Sequence, residues 1–175
     1  GYEIYLPEGE EAFSIEVWDK MVDLGAKICG LGARDVLRLE AGYPLYGHEL
    51  NENINPIEAG LSWVADFSKT AFNIDNKKSL VGLELPDKRA IPRHNAKIFF
   101  DNKEIGYITS GTYSFYLDKT IALGYIDKEI YNKKIDNVEI EIRNKKFPAK
   151  IVNKRFYYNP KIKIRGINME ALIIV

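Results

Sequence analysis

Two hydrophobic periods divide this chain. Over Glu8–Gly25, the apolar residues Phe13, Val17, Met21 and Leu24 recur at three- and four-residue spacing, the period that aligns side chains along one helix face. Acids come early and Lys20 late, as the helix dipole favours, and Gly25 supplies a stop. A second helix is predicted over Gly30–Ala41, with Ala33, Leu37 and Ala41 on one face, Arg34 and Arg38 on another, and Gly42 ending it. Ahead of both, Tyr2–Leu6 alternates like a strand and Pro7 closes it. Asn51–Asn55 reads as loop, and Pro56 suits the first turn of a short helix. From about Ser79 the period shortens to two. Ser79–Leu85, Lys97–Asp101, Ile105–Ser110, Thr120–Asp127, Val138–Arg143 and Phe147–Asn153 read as short strands, with hairpin turns at Asp101-Asn102 and Asn144-Lys145. Strands so spaced, with no long helix between them, predict a small β-barrel or sandwich.

The expected fold class is therefore α+β: an α+β portion, a boundary near Asp75–Lys78, then a small antiparallel β-barrel. The segment Lys161–Val175 alternates Lys and Ile before closing on an apolar run. It reads as an edge strand or as a tail that needs a partner.

Composition narrows the function classes. The chain has 175 residues, 46% of them hydrophobic and 29% charged, which is ordinary for a globular protein. The formal net charge is +0, without the basic excess of a nucleic-acid binder. The pairs Lys77-Lys78, Lys133-Lys134 and Lys145-Lys146 stand beside Asn76, Asn132 and Asn144 and read as solvated turns. No apolar run approaches the roughly 18 residues of a membrane span, and no signal peptide is visible. Neither nucleic acid nor membrane is expected as a partner. A single cysteine, Cys29, leaves no internal disulfide, which fits a reducing compartment. It is expected to be a small buried residue. The chain starts at Gly1, not Met, which reads as a cut or processed start.

Common catalytic signatures are missing. His48 and His94 stand far apart in the sequence, neither with a Cys or His at metal-ligand spacing, so no metal is expected. There is no P-loop and no Gly-x-Gly-x-x-Gly. Ser110, in Thr109-Ser110-Gly111-Thr112, lacks the Gly-x-Ser-x-Gly elbow of a hydrolase.

The most distinctive stretch is Gly30–Trp63. Gly30-Leu31-Gly32-Ala33-Arg34-Asp35-Val36-Leu37-Arg38-Leu39-Glu40-Ala41-Gly42 runs without a gap into Tyr43-Pro44-Leu45-Tyr46-Gly47-His48-Glu49-Leu50, and Asn55-Pro56-Ile57-Glu58-Ala59-Gly60-Leu61-Ser62-Trp63 follows. Ala90-Ile91-Pro92-Arg93-His94, Ile105-Gly106-Tyr107-Ile108-Thr109-Ser110-Gly111-Thr112 and Ile121-Ala122-Leu123-Gly124-Tyr125-Ile126 come later, in order. Together they resemble the aminomethyltransferase (T-protein) family of the glycine cleavage system, over about Gly1–Tyr158. The Lys-Gly-Cys-Tyr-x-Gly-Gln motif of a related iron–sulfur-assembly branch is not found. Tyr2-Glu3-Ile4 resembles the end of the family's Gly-Tyr-Thr-Gly-Glu-Asp-Gly-Tyr-Glu-Ile run. The resemblance therefore covers a C-terminal half, without the half that in the family carries the essential aspartate and much of the pterin pocket.

The resemblance implies a partition into residues 1–76 as the C-terminal part of the folate-binding region, 77–160 as the C-terminal β-barrel and 161–175 as an unassigned tail. It implies transfer of an aminomethyl carbon from the lipoyl arm of a carrier H-protein to tetrahydrofolate, with release of ammonia. Tetrahydrofolate is substrate and carrier, and no catalytic residue is expected within this chain. Glu3 and Arg34 match folate-contacting positions: a carboxylate accepts two adjacent pterin N–H groups, and a guanidinium offers a planar fork to oxygens. Trp63 matches a folate-contacting aromatic, and Tyr46 lies in the loop facing that region. Arg38, Asp35 and Glu40 are expected to form an ion network along the helix. Departures occur at Leu80, where the family often has a basic residue, at Ser114-Phe115 in place of Ser-Pro, and after Phe156-Tyr157-Tyr158, where an arginine is missing. The expected partners are H-protein, tetrahydrofolate, an N-terminal half or self-association, and the expected location is the cytoplasm or an organelle matrix. The alternative is a non-catalytic folate-binding or interaction module of the same fold.

Overall fold

The computed structural model describes residues 4–66 and 76–157. Glu3, the first half of the expected strand at Tyr2–Leu6 and the tail from Lys161 lie outside them. The chain divides into two compact units, one of Gly1–Leu37 with Asn159–Val175 and one of Arg38–Tyr158.

In the first unit, helix α1 spans Glu11–Asp23. A Schellman turn ends it: Gly25 at φ +96° donates its N–H to Val22 O and Ala26 donates to Met21 O, which satisfies carbonyls the helix itself leaves free. Phe13, Ile15, Trp18, Met21 and Leu24 are all exposed, and no α1 residue is buried. Ile4–Leu6 is not a strand. Cys29 is exposed, not buried, because the connection from Lys27 to Gly30 has no element over it among the described residues.

Helix α2, Leu31–Glu40, ends in a second Schellman turn, with Gly42 N–H on Leu39 O and Tyr43 N–H on Arg38 O. Gly42 sits at φ +74°, and a Cβ there would collide with the Lys154 carbonyl, so two independent constraints select glycine. Of the expected apolar face, Ala41 is buried and Ala33 partly so, but Leu37 is exposed, and the last turn buries Arg38, Leu39 and Glu40. Pro56 opens a run of turns rather than a helix, followed by a single 3-10 turn at Ser62–Val64.

The second unit is built on a closed antiparallel barrel of β1 (Lys78–Leu85), β2 (Lys97–Phe100), β3 (Lys103–Ser114), β4 (Lys119–Asp127), β5 (Asn137–Ile142) and β6 (Lys145–Val152), in the order β1-β4-β3-β2-β5-β6. Closure leaves no unpaired edge. The hairpin residues Asp101-Asn102 and Arg143-Asn144 all have positive φ, as a type I′ turn requires; the second turn lies one residue earlier than the sequence suggests. A five-residue helix, α3 (Lys128–Asn132), follows β4 and is too short for periodicity to announce.

Alternation fills the barrel. Val81, Leu83, Leu85, Ile98, Ile105, Ile108, Ala122, Ile126, Val138 and Ile140 form one cluster. The opposite faces of β1 and β4 are buried too: Leu80, Ile121, Leu123 and Tyr125 pack with Leu39 and Ile54. Strands covered on both sides read as continuous apolar runs, which explains why β4 is buried from Thr120 to Ile126. Full burial of a Leu or Ile contributes about 1.5–3 kcal/mol, so Leu39 anchors residues 38–61 firmly to the outside of the sheet.

Candidate functional site

The covering segment is fixed by a buried polar network. Arg38, 7% exposed, donates from one guanidinium nitrogen to Glu49 Oε2 at 2.8 Å and from another to Ser110 Oγ at 2.8 Å. Ser110 Oγ–H donates to Glu49 Oε1 at 2.6 Å, and Leu45 N–H donates to Glu49 Oε2 at 2.8 Å. Glu49 is fully buried, yet both its oxygens have donors and its charge is matched. A buried ion pair is tolerable only when so saturated. Tyr125 Oη donates to the Glu49 carbonyl at 2.8 Å, and burial, then the Tyr107, Glu49 and Glu58 charges, push the phenol pKa up. Of the three residues expected to form an ion network along the helix, Arg38 is drawn to Glu49 and Ser110, beyond the helix. Glu40 instead accepts from Ser114 Oγ, and its carbonyl accepts Phe156 and Tyr157 N–H groups.

The Arg38–Glu49 pair closes a tight loop. Leu45 O accepts N–H groups from His48, Glu49 and Leu50, while Gly47 at φ +90° donates to Leu50 O at 2.7 Å. With Glu49 drawn inward, Tyr46 is left 69% exposed at the loop's outer side. Downstream, the Glu58 carboxylate accepts Lys77 and Lys78 N–H groups at 3.0 and 2.9 Å, and Lys154 Nζ donates to Ala59 O at 2.9 Å. Burial holds the Lys154 pKa below its ordinary value. These bonds fix the turn that carries Trp63, itself 61% exposed.

Of the expected ligand residues, Arg34, Tyr46 and Trp63 all present exposed side chains, and Glu3 lies outside the described residues. Tyr46 and Trp63 belong to one compact unit and share no ring contact. Sequence reasoning missed Glu49 and Ser110, which stand 61 residues apart, and it missed the adjacency of His48 and His94, whose ring centroids are 5.3 Å apart. No periodic or motif signal links either pair. Among the described residues, no group of three or more His, Cys, Asp or Glu could hold a metal, and no helix is long and apolar enough to cross a membrane.

Comparison with known proteins supplies the context. Residues 78–157 match the profile of the glycine cleavage T-protein C-terminal barrel domain, and residues 1–69 match that of the GCVT N-terminal domain. An aminomethyltransferase of Thermoanaerobacter pseudethanolicus is 42% identical over 171 residues, covering 90% of this chain and 45% of the relative. One of Aquifex aeolicus is 49% identical over 154 residues, covering 83% and 42%. The crystal structure of glycine cleavage system aminomethyltransferase T from Bartonella henselae superposes with a TM-score of 0.68 at 28% identity, covering 85% of this chain and 44% of that one. The chain thus spans less than half the length of these relatives.

Proposed function

This chain belongs to the glycine cleavage T-protein family, and we propose that it is the folate-orienting, barrel-bearing portion of a tetrahydrofolate-dependent aminomethyltransferase. In the reaction proposed, an aminomethyl carbon leaves the lipoyl arm of H-protein, ammonia departs, and tetrahydrofolate receives the carbon. The portion's work is orientation and electrostatics, which can lower a barrier by several kcal/mol. Glu3, Arg34, Tyr46 and Trp63 are proposed as folate contacts. Residues 1–76 are assigned to the folate-binding region and 77–160 to the barrel. The cytoplasm, or an organelle matrix, is the location this chemistry suggests.

One observation carries the reading. The fully buried Glu49, held by Arg38 and Ser110, fixes a loop whose outer side chain, Tyr46, is left free of the core. A loop pinned this firmly from beneath is a rigid platform, and rigid platforms reduce the entropy cost of placing a ligand. The apolar side chains exposed along α1 favour a covering partner, either the remaining half of the fold or a second copy.

The direct test is ammonia release from aminomethyl-loaded H-protein with tetrahydrofolate, using this chain alone and with an added N-terminal half. The proposal expects turnover only in the complemented mixture. Turnover by the chain alone at the rate of a whole enzyme, or none in an assembled complex, would overturn it.

A further inference from the structure

His48 and His94 come together over a β-bulge. In the β3–β4 pairing, Ile108 faces Gly124 and Ser110 faces Leu123, which leaves Thr109 as the extra residue. The two consecutive residues Thr109 and Ser110 each hold one imidazole. His94 Nδ1 lies 3.0 Å from the Thr109 carbonyl, and His48 Nδ1 lies 3.2 Å from Ser110 Oγ.

Donor counting fixes both tautomers. A carbonyl only accepts, so His94 Nδ1 carries the proton of that bond. Ser110 has one proton, which goes to Glu49 Oε1, and its oxygen already accepts from Arg38. His48 Nδ1 must therefore donate as well. In a neutral imidazole each Nε2 is then left with its lone pair free. An imidazole that gives its other N–H to a carbonyl or oxygen partner has the arrangement found around metal-binding histidines.

From this geometry we propose that His48 and His94 form a two-imidazole site for a divalent transition-metal ion of the copper–zinc class. Imidazole nitrogen suits zinc, copper and nickel, whereas calcium and magnesium take oxygen. Two imidazoles on one tetrahedral ion, with metal–nitrogen bonds of ~2.0–2.1 Å, have ring centres roughly 5 Å apart; the observed separation is 5.3 Å with the planes at 45°. Both rings are solvent-exposed, so an ion can enter without stripping the protein, and solvent completes its coordination. The ion clamps the loop that carries Tyr46 and Glu49 to the connection before β2. The proposal is independent of the folate reading.

Calorimetric titration of Cu²⁺ and Zn²⁺ into the intact chain at neutral pH, in a non-chelating buffer, tests the site. The expected result is one ion per chain, with copper bound more tightly than zinc as the Irving–Williams order requires. His48→Ala and His94→Ala each lose affinity at least about tenfold, and the double variant shows no saturable binding. The ion raises the unfolding midpoint of the parent chain and not that of the variants. His48→Asn and His94→Asn, whose amides keep a donor for Ser110 and Thr109, replace any alanine variant that fails to fold. Absence of saturable binding, or single variants within about twofold of the parent, would overturn the proposal.

Discussion

Arg38 and Glu49 form an ion pair at 2.8 Å with side-chain exposures of 9% and 0%, and that pair joins the end of α2 to the Tyr46 loop and, through Ser110, to β3. Such a pair acts mainly through the penalty for breaking it. Glu49→Ala takes the carboxylate at 2.8 Å away from a buried guanidinium and should cost about 3–5 kcal/mol. Replacing both residues by apolar ones of similar volume should cost much less than the sum of the single losses. Urea unfolding of the three variants measures this, and strict additivity would show that the two side chains do not act together.

The barrel was legible because six short strand-like runs bounded by turn residues follow one another, even where β1 and β4 are buried on both faces, while the network was not. Arg38 sits at a spacing that suits a helix-surface charge, yet Glu49 lies 11 residues on and Ser110 72. Only the closed fold brings those together. Cys29 misled for the opposite reason: its small apolar character suggests burial, but burial needs a neighbouring element to supply the cover. Arg34, Tyr46 and Trp63 could be named from family motifs alone, since nothing in their periodicity marks them as ligands rather than packing residues.

Gly42→Ala should be more damaging than Gly47→Ala. Both backbones are left-handed, at φ +74° and +90°, which costs an alanine about 1–2 kcal/mol. At Gly47 the space beyond is open, whereas at Gly42 the new methyl meets the Lys154 carbonyl. Chemical unfolding of both variants should therefore rank Gly47→Ala as the more stable; the reverse order would contradict the close approach.

Tyr125 should make the fold sensitive to alkali. Its pKa is raised from an ordinary value of 10.0, first by burial. Below pH 10 the phenol is protonated in both states and contributes no pH dependence. Above pH 10 the unfolded chain releases a proton that the folded one keeps, so stability falls as pH rises. Tyr125→Phe should lose about 0.5–1.5 kcal/mol at neutral pH with the bond to the Glu49 carbonyl. It should also fall less steeply above pH 10. Parallel slopes for the parent and variant would remove Tyr125 as the cause.

Arg34 is proposed to hold folate by a planar fork that an ammonium cannot copy. In the complemented protein, Arg34→Ala should weaken tetrahydrofolate binding by ~1.5–3 kcal/mol, or roughly one to two orders of magnitude. Arg34→Lys should recover little of it. Affinity within about twofold in both variants, with circular dichroism unchanged, would leave Arg34 as a surface charge worth less than ~1 kcal/mol.

Isothermal titration of tetrahydrofolate into this chain mixed with the N-terminal half of an aminomethyltransferase tests the folate role most directly. The account predicts saturable binding, one folate per assembled pair, tighter than to either half alone. An assembled pair that binds no tetrahydrofolate, or one whose affinity equals that of the N-terminal half by itself, would contradict it.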